Sequence, residues 1–164
     1  MTTNALISPQ AGVARTLVWT DAFLLGYGPL DDTHREFVEV VSALMQATDD
    51  ELDGALARLE CHLRDHFGTE DRWMEETDFP ARQCHMDEHG AVLATLEQVK
   101  ALCANGDVAI VRRFGDELIQ WFPGHADYLD AALSHWMSKT RLGGKPVVLR
   151  RNLSFDETVI PVKK

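Results

Sequence analysis

Apolar residues recur every three or four positions along most of this 164-residue chain, which is the spacing of one face of an α-helix. We expect a first helix over about 32–47, a second over about 51–76, a third over about 81–103 and a fourth over about 108–139. The breaks between them contain the helix-ending or capping sequences Thr48-Asp49-Asp50, Asp78-Phe79-Pro80 and Asn105-Gly106-Asp107. Long amphipathic helices with short connections predict an all-α, up-down-up-down antiparallel four-helix bundle.

The two ends of the chain do not share this pattern. Residues 1–18 are mixed in character and predict an N-terminal arm, which leaves 19–139 for the bundle. Gly143, Gly144 and Pro146 end the helical pattern, and the apolar runs after them predict a non-helical C-terminal tail, extended or disordered, over 140–164. This tail is basic, whereas the whole chain has a net charge of −10. Unless it is disordered, we expect the tail to dock on the acidic bundle or on a protein partner.

Composition excludes several classes of function. The acidic balance argues against nucleic acid and against an anionic membrane surface as partners. No segment approaches the roughly 20 consecutive apolar residues that a transmembrane helix needs. The N-terminus lacks the basic segment and apolar core of a signal peptide. Three cysteines without a CxxC pair predict reduced thiols and a cytoplasmic protein.

Two short helical signatures bring histidines and a carboxylate together. His66 and Glu70 form H-x-x-x-E in the second helix, and His85 and His89 form H-x-x-x-H in the third. Residues four apart project from the same face of an α-helix, so each pair offers two neighbouring side chains. Either pair alone is a weak signal, and their combination in one bundle predicts a shared site.

A third signature has a spacing that a regular helix does not accommodate. His125 and Asp130 are five residues apart, which places them about 140° apart around an α-helix. Pro123 lies just before them and has no N–H to donate to the carbonyl of Ile119. We therefore predict a kink or a π-type bulge between 119 and 130. His34, in the D-D-T-H segment near the start of the first helix, is one more candidate residue for the shared site.

Every predicted helix therefore carries at least one candidate metal ligand, and we expect all of them to face the bundle interior. Imidazole and carboxylate suit iron, and also zinc or manganese. If both carboxylates bridge two ions, three of the five histidines saturate one ion. The other two histidines then leave the second ion with a single open coordination position. The candidate ligands are His34, His66, Glu70, His85, His89, His125 and Asp130.

The chain resembles the hemerythrin family over roughly 17–139. The resemblance rests on the three signatures in this order and on the leading segments W-T-D and G-Y-G-P-L-D-D-T-H. The chain is most similar to the bacterial single-domain members. This resemblance implies a non-heme diiron protein that binds O2 reversibly, for storage, delivery or sensing, and not an enzyme.

The resemblance also implies a role for each candidate ligand. Two iron ions, cycling between Fe2+ and Fe3+, would be bridged by Glu70, Asp130 and an oxo or hydroxo group. The saturated iron would be held by His85, His89 and His125. The iron that binds O2 would be held by His34 and His66. We expect the O2 pocket to be lined by Trp19, Phe23, Phe67 and Leu118.

The segment around the third signature departs from the family pattern. Ala126 stands where a bulky aliphatic residue is usual, and Leu133 stands where a tyrosine is common. These changes predict a larger pocket around the O2 position. A diiron enzyme that acts on peroxide, nitric oxide or O2 through the same site therefore stays open as an alternative. A bundle that holds zinc only to stabilise its fold is a third possibility.

Other polar residues beside the signatures are not needed as ligands. His62, one turn before the second-helix signature, is assigned to the surface or to the surroundings of the site. Asp71 and Glu88 are assigned, with other acidic neighbours, to solvated helix faces. Some of these acids are expected to orient ligand imidazoles, a role that depends on contacts between helices.

Overall fold

The computed structural model describes residues 16–148. The helices are α1 (Gly28–Gln46), α2 (Leu52–Glu76), α3 (Arg82–Ala104), α4 (Val108–His125) and α5 (Ala131–Leu142). A π-helical turn over Ala126–Asp130 joins α4 to α5, so these three segments form the fourth rod of a bundle. α1 packs against α2 and α4, and α3 packs against the same two helices. The predicted all-α four-helix bundle is confirmed.

The first helix begins earlier than the sequence pattern indicated. α1 starts at Gly28 and carries Pro29 in its first turn, whereas the prediction ended the preceding segment at this proline. A proline fits the first turn of a helix because the N–H that it lacks has no intrahelical acceptor there. Asp31 is buried and accepts hydrogen bonds from the backbone N–H groups of Leu25 (2.7 Å) and Gly26 (3.0 Å). This carboxylate therefore fixes the chain's entry into α1.

The predicted irregularity in the fourth helix is confirmed. Pro123 lies inside α4, and the π turn begins three residues after it, at Ala126. A proline removes one backbone hydrogen bond and crowds the preceding turn, which favours a change of helical pitch nearby. Helical structure then resumes without a break in α5.

The apolar faces of the helices form two buried clusters. The larger one joins α1, α2, α3 and α4 and contains fully buried side chains such as Phe37, Leu59 and Phe122. The smaller one contains Met74 and Leu133 and lies among α2, α5 and the start of α1. None of the helices within residues 16–148 is both long and apolar enough to cross a lipid bilayer.

Both ends of the described chain pack against the bundle. Leu17 is buried, and its carbonyl accepts a hydrogen bond from the hydroxyl of Ser42 at 2.7 Å. α5 continues past the expected boundary at 139 to Leu142, where Gly143 adopts a left-handed conformation (φ 67°) that ends the helix. The following chain returns to Gly26, where an added Cβ would lie 3.0 Å from the Cβ of Pro146. Residues 1–15 and 149–164 lie outside the described part, so the division into arm, bundle and tail stays a prediction.

Arg112 of α4 ties that helix to the end of α1. Its guanidinium donates hydrogen bonds to the carbonyls of Leu44 (2.9 Å), Met45 (3.3 Å) and Ala47. The last carbonyls of a helix lack intrahelical donors, so this contact satisfies groups that would otherwise need water. The loop between α1 and α2 is held to α4 by the same side chain.

We expect Arg112→Ala to lower the free energy of unfolding of the metal-free protein by about 2 kcal/mol, because hydrogen bonds from a charged donor contribute about 1.5–3 kcal/mol. Urea denaturation followed by circular dichroism measures the change. Arg113→Ala is the matched control, since this side chain is 68% exposed and its ion pair with Asp107 spans 3.9 Å. Equal losses in the two variants would contradict the role given to Arg112.

Candidate metal centre

All four rods of the bundle bring polar side chains into one buried cluster. α1 supplies a histidine, α2 a histidine and a glutamate, α3 two histidines, and the fourth rod a histidine and an aspartate. None of the seven residues is more than 3% exposed. They are His34, His66, Glu70, His85, His89, His125 and Asp130. The structure therefore brings together every ligand that the sequence predicted.

The π turn brings the two side chains of the third signature to the same point. In a regular α-helix residues five apart diverge by about 140°, whereas the wider π turn, with its i→i+5 bonding, lets them overlie each other. Nε2 of His125 lies 3.3 Å from Oδ1 of Asp130. The backbone irregularity next to Pro123 is thus what allows both residues to join the cluster.

The cluster consists of two groups of possible ligand atoms that share Glu70. In one group, Nε2 of His66 lies 2.7 Å from Oε1 of this glutamate. In the other group, Nε2 of His85 lies 3.3 Å from Oε2 and Nε2 of His89 lies 3.5 Å from the same oxygen. Glu70 therefore turns one carboxylate oxygen towards each group.

Asp130 has the same arrangement on the opposite rod. Its Oδ2 lies 3.0 Å from Nε2 of His34, on the side of the first group. Its Oδ1 lies 3.0 Å from Nε2 of His85 and 3.3 Å from Nε2 of His125, on the side of the second group. Both buried carboxylates thus face two separate sets of imidazoles.

Hydrogen bonds within the cluster do not satisfy these atoms. Among the described residues, Nε2 of His34, Oε2 of Glu70 and both oxygens of Asp130 are buried without a hydrogen-bond partner, although imidazole nitrogens lie close by. Buried polar groups that lack a partner are costly, so such a concentration of them indicates a bound group. A cation would satisfy the nitrogens and the oxygens together, and this donor set suits iron, zinc or manganese.

Two outer carboxylates fix the tautomers of two imidazoles. Nδ1 of His89 lies 2.8 Å from Oδ1 of Asp71, and Nδ1 of His125 lies 2.9 Å from Oε2 of Glu88. An ionised carboxylate only accepts hydrogen bonds, so each Nδ1 carries a proton and each neutral ring presents a lone pair at Nε2. These two Nε2 atoms face each other at 3.3 Å. When both rings are neutral, two lone pairs at this distance repel, and a proton or a metal cation between the two nitrogens removes the conflict.

Residue spacing along the chain offers no means of choosing these two acids among their neighbours. The sequence analysis assigns the acidic neighbours to solvated helix faces and expects some of them to contact imidazoles, and in the structure Asp71 and Glu88 make such contacts. Their side chains remain partly exposed, at 29% and 46%, while one oxygen of each reaches a buried imidazole. The partners lie 18 and 37 positions away in the chain, so local spacing carries no signal for the contact.

The charges inside the cluster shift its acid–base equilibria. Burial lowers the pKa of His85, but the ionised carboxylates of Asp130 and Glu70, 3.0 and 3.3 Å from its Nε2, outweigh this and raise it to about 9. Burial and the charge of Asp130 raise the pKa of Glu70, but His66 and His85 outweigh them and lower it to about 2. Burial raises the pKa of Asp130, but the neighbouring imidazoles, His125 first among them, outweigh it and hold this pKa well below its usual value. Both carboxylates therefore stay ionised in the metal-free protein, and the cluster needs positive charge.

His62 is a buried neighbour of the cluster and not a surface residue. Its side chain is 8% exposed, and its ring lies 5.3 Å from the ring of His66. Its Nδ1 is 3.7 Å from a carboxylate oxygen of Glu36, and its Nε2 is buried. Burial and the neighbouring imidazoles of His66 and His34 lower the pKa of His62 to about 4. This ring is therefore neutral near pH 7 and lies outside both groups of possible ligands.

Trp19 and Phe23, two of the predicted O2-pocket residues, are connected to the cluster by the ring of Phe122, which the sequence analysis did not name. The rings of Trp19 and Phe23 lie 5.8 Å apart, and Phe23 lies 5.3 Å from Phe122. Phe122 in turn meets the ring of His34 edge-on at 5.1 Å, and Phe37 stacks on Phe122 at 4.5 Å. Phe122 lies one helical turn before the third signature, which was an available signal for its position.

The other two predicted pocket residues lie in different places. Phe67 stacks on His89 with ring centroids 4.1 Å apart and also lies 5.2 Å from the ring of His66. Leu118 borders a groove of about 450 Å³ between α3 and α4, which Trp121 also lines. Phe67 thus contacts both groups of the cluster, whereas Leu118 lines this groove together with Glu88 and Trp121, the two residues that contact the ring of His125. The assignment of all four residues to an O2 pocket stays a prediction.

The fold and the cluster define a class of protein, a four-helix bundle with a buried imidazole–carboxylate site for cations. Residues 25–133 match the family model described as the hemerythrin HHE cation binding domain. The chain is 36% identical over 121 residues to a bacteriohemerythrin of Ralstonia nicotianae, covering 74% of this chain and 88% of that protein. It is 27% identical over 113 residues to a myohemerythrin of Riftia pachyptila, covering 69% and 87%. No solved structure matches the chain. The chain belongs to the hemerythrin family.

We expect metal loading near pH 7 to release at least one proton per chain. In the metal-free protein the pKa of His85 is raised to about 9, so this imidazole is protonated near neutral pH and must lose its proton to become a ligand. Near pH 10 the ring is already neutral, so this release is expected to disappear. Titration with ferrous salt in weakly buffered, oxygen-free solution measures it. If the number of protons released did not decrease from pH 7 to pH 10, the raised pKa of His85 would be contradicted.

Proposed function

We propose that this chain holds two iron ions at the buried centre and binds O2 reversibly there, for storage, delivery or sensing. The observation that carries the proposal is the arrangement of Glu70 and Asp130, each with one oxygen towards each group of imidazoles. Carboxylates that face two sets of nitrogen ligands are suited to bridging two ions. Membership of the hemerythrin family supports the same reading, and supports a binding protein over an enzyme.

The five imidazoles divide unequally between the two proposed positions. We assign His85, His89 and His125 to one iron, and His34 and His66 to the other. Glu70, Asp130 and an oxo or hydroxo group would bridge the pair. By this count the iron with two histidines has one ligand fewer and keeps a position for a small molecule. When bound, the pair supplies the redox chemistry that O2 binding needs.

The surroundings of the proposed O2 side favour binding over turnover. Phe37 and Phe122 are fully buried, stack on each other and lie against the rings of His66 and His34. A wall of aromatic carbon excludes water and protons, and this slows reactions that would consume a bound gas. This packing supports reversible binding as the function of the site.

The structure adds no support for the enzyme alternative. Ala126 and Leu133 predicted an enlarged pocket, yet Ala126 is 1% exposed and Leu133 is fully buried beside Met74 and Met137. Burial from solvent at both positions shows no open path for peroxide, nitric oxide or a larger substrate through them. Reversible O2 binding is therefore the function that we propose.

A cytoplasmic location and the use of the tail are parts of this proposal with separate support. The three cysteines are free thiols, as is usual in a reducing compartment. The start of the basic tail meets the bundle at Gly26, which supports self-docking of that segment. The acidic net charge of the chain supports the absence of nucleic acid and of anionic membrane as partners.

The test is anaerobic loading with ferrous iron followed by cycles of air and vacuum. We expect two irons per chain and a visible absorption band that appears in air and is lost under vacuum. Glu70→Gln removes the charge of a proposed bridge and is expected to abolish both the iron pair and the band. Glu75→Gln, an exposed change on the same helix, is the matched control and should retain both.

Three outcomes would contradict the proposal. Wild-type protein that holds fewer than two irons per chain would exclude the diiron site. A band that decays at once while added peroxide is consumed would instead support the enzyme. Zinc in place of iron after expression would indicate a site that only stabilises the fold.

A further inference from the structure

The three-histidine group consists of His85, His89 and His125, and the imidazole of His89 is held from two directions. Nδ1 of His89 donates to a carboxylate oxygen of Asp71 at 2.8 Å. The face of the same ring is covered by Phe67, with ring planes only 6° from parallel and centroids 4.1 Å apart. The hydrogen bond fixes which nitrogen carries the proton, and the stacked ring limits rotation of the imidazole. His89 is therefore preorganised with its Nε2 directed at the centre.

A second imidazole of that group is held in the same way by different helices. Nδ1 of His125 donates to a carboxylate oxygen of Glu88 at 2.9 Å. Trp121, one turn earlier in α4, covers the ring with centroids 4.2 Å apart and planes tilted by 30°. The combination of one carboxylate and one aromatic ring thus occurs twice on the same side of the centre.

The two-histidine group, His34 and His66, lacks this combination of a carboxylate and a stacked aromatic ring within the described chain. Nδ1 of His34 and Nδ1 of His66 are buried and have no hydrogen-bond partner among residues 16–148. The ring of His34 meets Phe122 edge-on, at 89°, and not face to face. The third imidazole of the other group, His85, also lacks a partner at Nδ1 in the described chain. Carboxylate support is therefore confined to two imidazoles, both in the three-histidine group.

We propose that Asp71 and Glu88 are positioning residues that make the three-histidine position the tighter and more electron-rich of the two metal positions. This inference rests on the proposed diiron function. Neither acid touches the metal or O2, and each acts through the imidazole to which it is hydrogen-bonded.

The physical basis is the effect of a carboxylate on imidazole basicity. A negative acceptor at Nδ1–H draws the proton away from the ring and increases the electron density that Nε2 offers to a metal. A stronger donor stabilises the ferric state more than the ferrous state, so it lowers the reduction potential of the iron it holds. The effect should be larger for Asp71 than for Glu88, because its side chain is 29% exposed against 46% and water screens its charge less.

The experiment compares Asp71→Asn and Glu88→Gln with the wild type, each loaded anaerobically with ferrous iron. An amide oxygen can still accept from Nδ1–H, so each variant removes the charge and keeps the shape. We expect the slower of two phases of iron release to a ferrous chelator to become about 10–100-fold faster in Asp71→Asn, with a smaller change in Glu88→Gln. Both variants should also shift the midpoint potential of the iron pair to more positive values.

Controls separate this role from general charge loss and from folding. Glu75→Gln on α2 and Asp87→Asn on α3 remove the same charge from exposed neighbours that contact no imidazole, and should behave as wild type. Asp71→Glu restores the charge and should recover a slow release phase and a lower potential. Urea unfolding of the metal-free variants should remain a single cooperative transition, which would show that the substitutions leave the fold intact.

The inference would be overturned if both variants released iron within about twofold of their controls and with unchanged potential, while the wild type held its two irons. A wild type that holds no iron pair would overturn the proposed function itself, which is a different and separately visible result. A small effect in Asp71→Asn beside a large effect in Glu88→Gln would contradict the stated dependence on screening.

Discussion

The burial of two ionised carboxylates in a bundle interior is the constraint on which this structure depends. Glu70 and Asp130 are no more than 1% exposed, and a charge taken out of water must be compensated nearby. Five imidazoles surround them, and several buried nitrogens and oxygens of this set have no hydrogen-bond partner within residues 16–148, so a bound cation would satisfy them together. The positions of the helices, the π turn and the surrounding rings all serve to hold this set of charges together.

Backbone geometry and site chemistry are linked most directly in the fourth rod. A regular helix would carry His125 and Asp130 to different faces, and the bundle would then lose one of its two shared carboxylates. Pro123 weakens the local hydrogen bonding, and the π turn realigns the two side chains at 3.3 Å. A local departure from the most stable helix is thus tolerated because the resulting site, once it holds a cation, compensates the buried charges.

The two halves of the centre are built differently around a shared core. On one side, carboxylates and stacked rings immobilise His89 and His125. On the other side, His34 and His66 are bordered by aromatic carbon, with Phe122 against the first ring. A rigid, strongly donating position lies next to a position enclosed by apolar surface. In the proposed function, the first would anchor the ion pair and the second would meet a small ligand. The proposed function and the proposed roles of the outer acids both follow from this division.

Helix number, the seven clustered residues and the irregular turn were predictable from the sequence, because residue spacing determines which side chains share a helix face and a proline removes a defined hydrogen bond. The predicted start of α1, near residue 32, was wrong, and the helix begins at Gly28. A proline such as Pro29 is equally compatible with ending one segment and with beginning a helix. Only the tertiary structure selected Asp71 and Glu88 from many acidic neighbours and set Phe122 against His34. Those contacts depend on the distance and rotation between separate helices, which periodicity along a single chain does not encode.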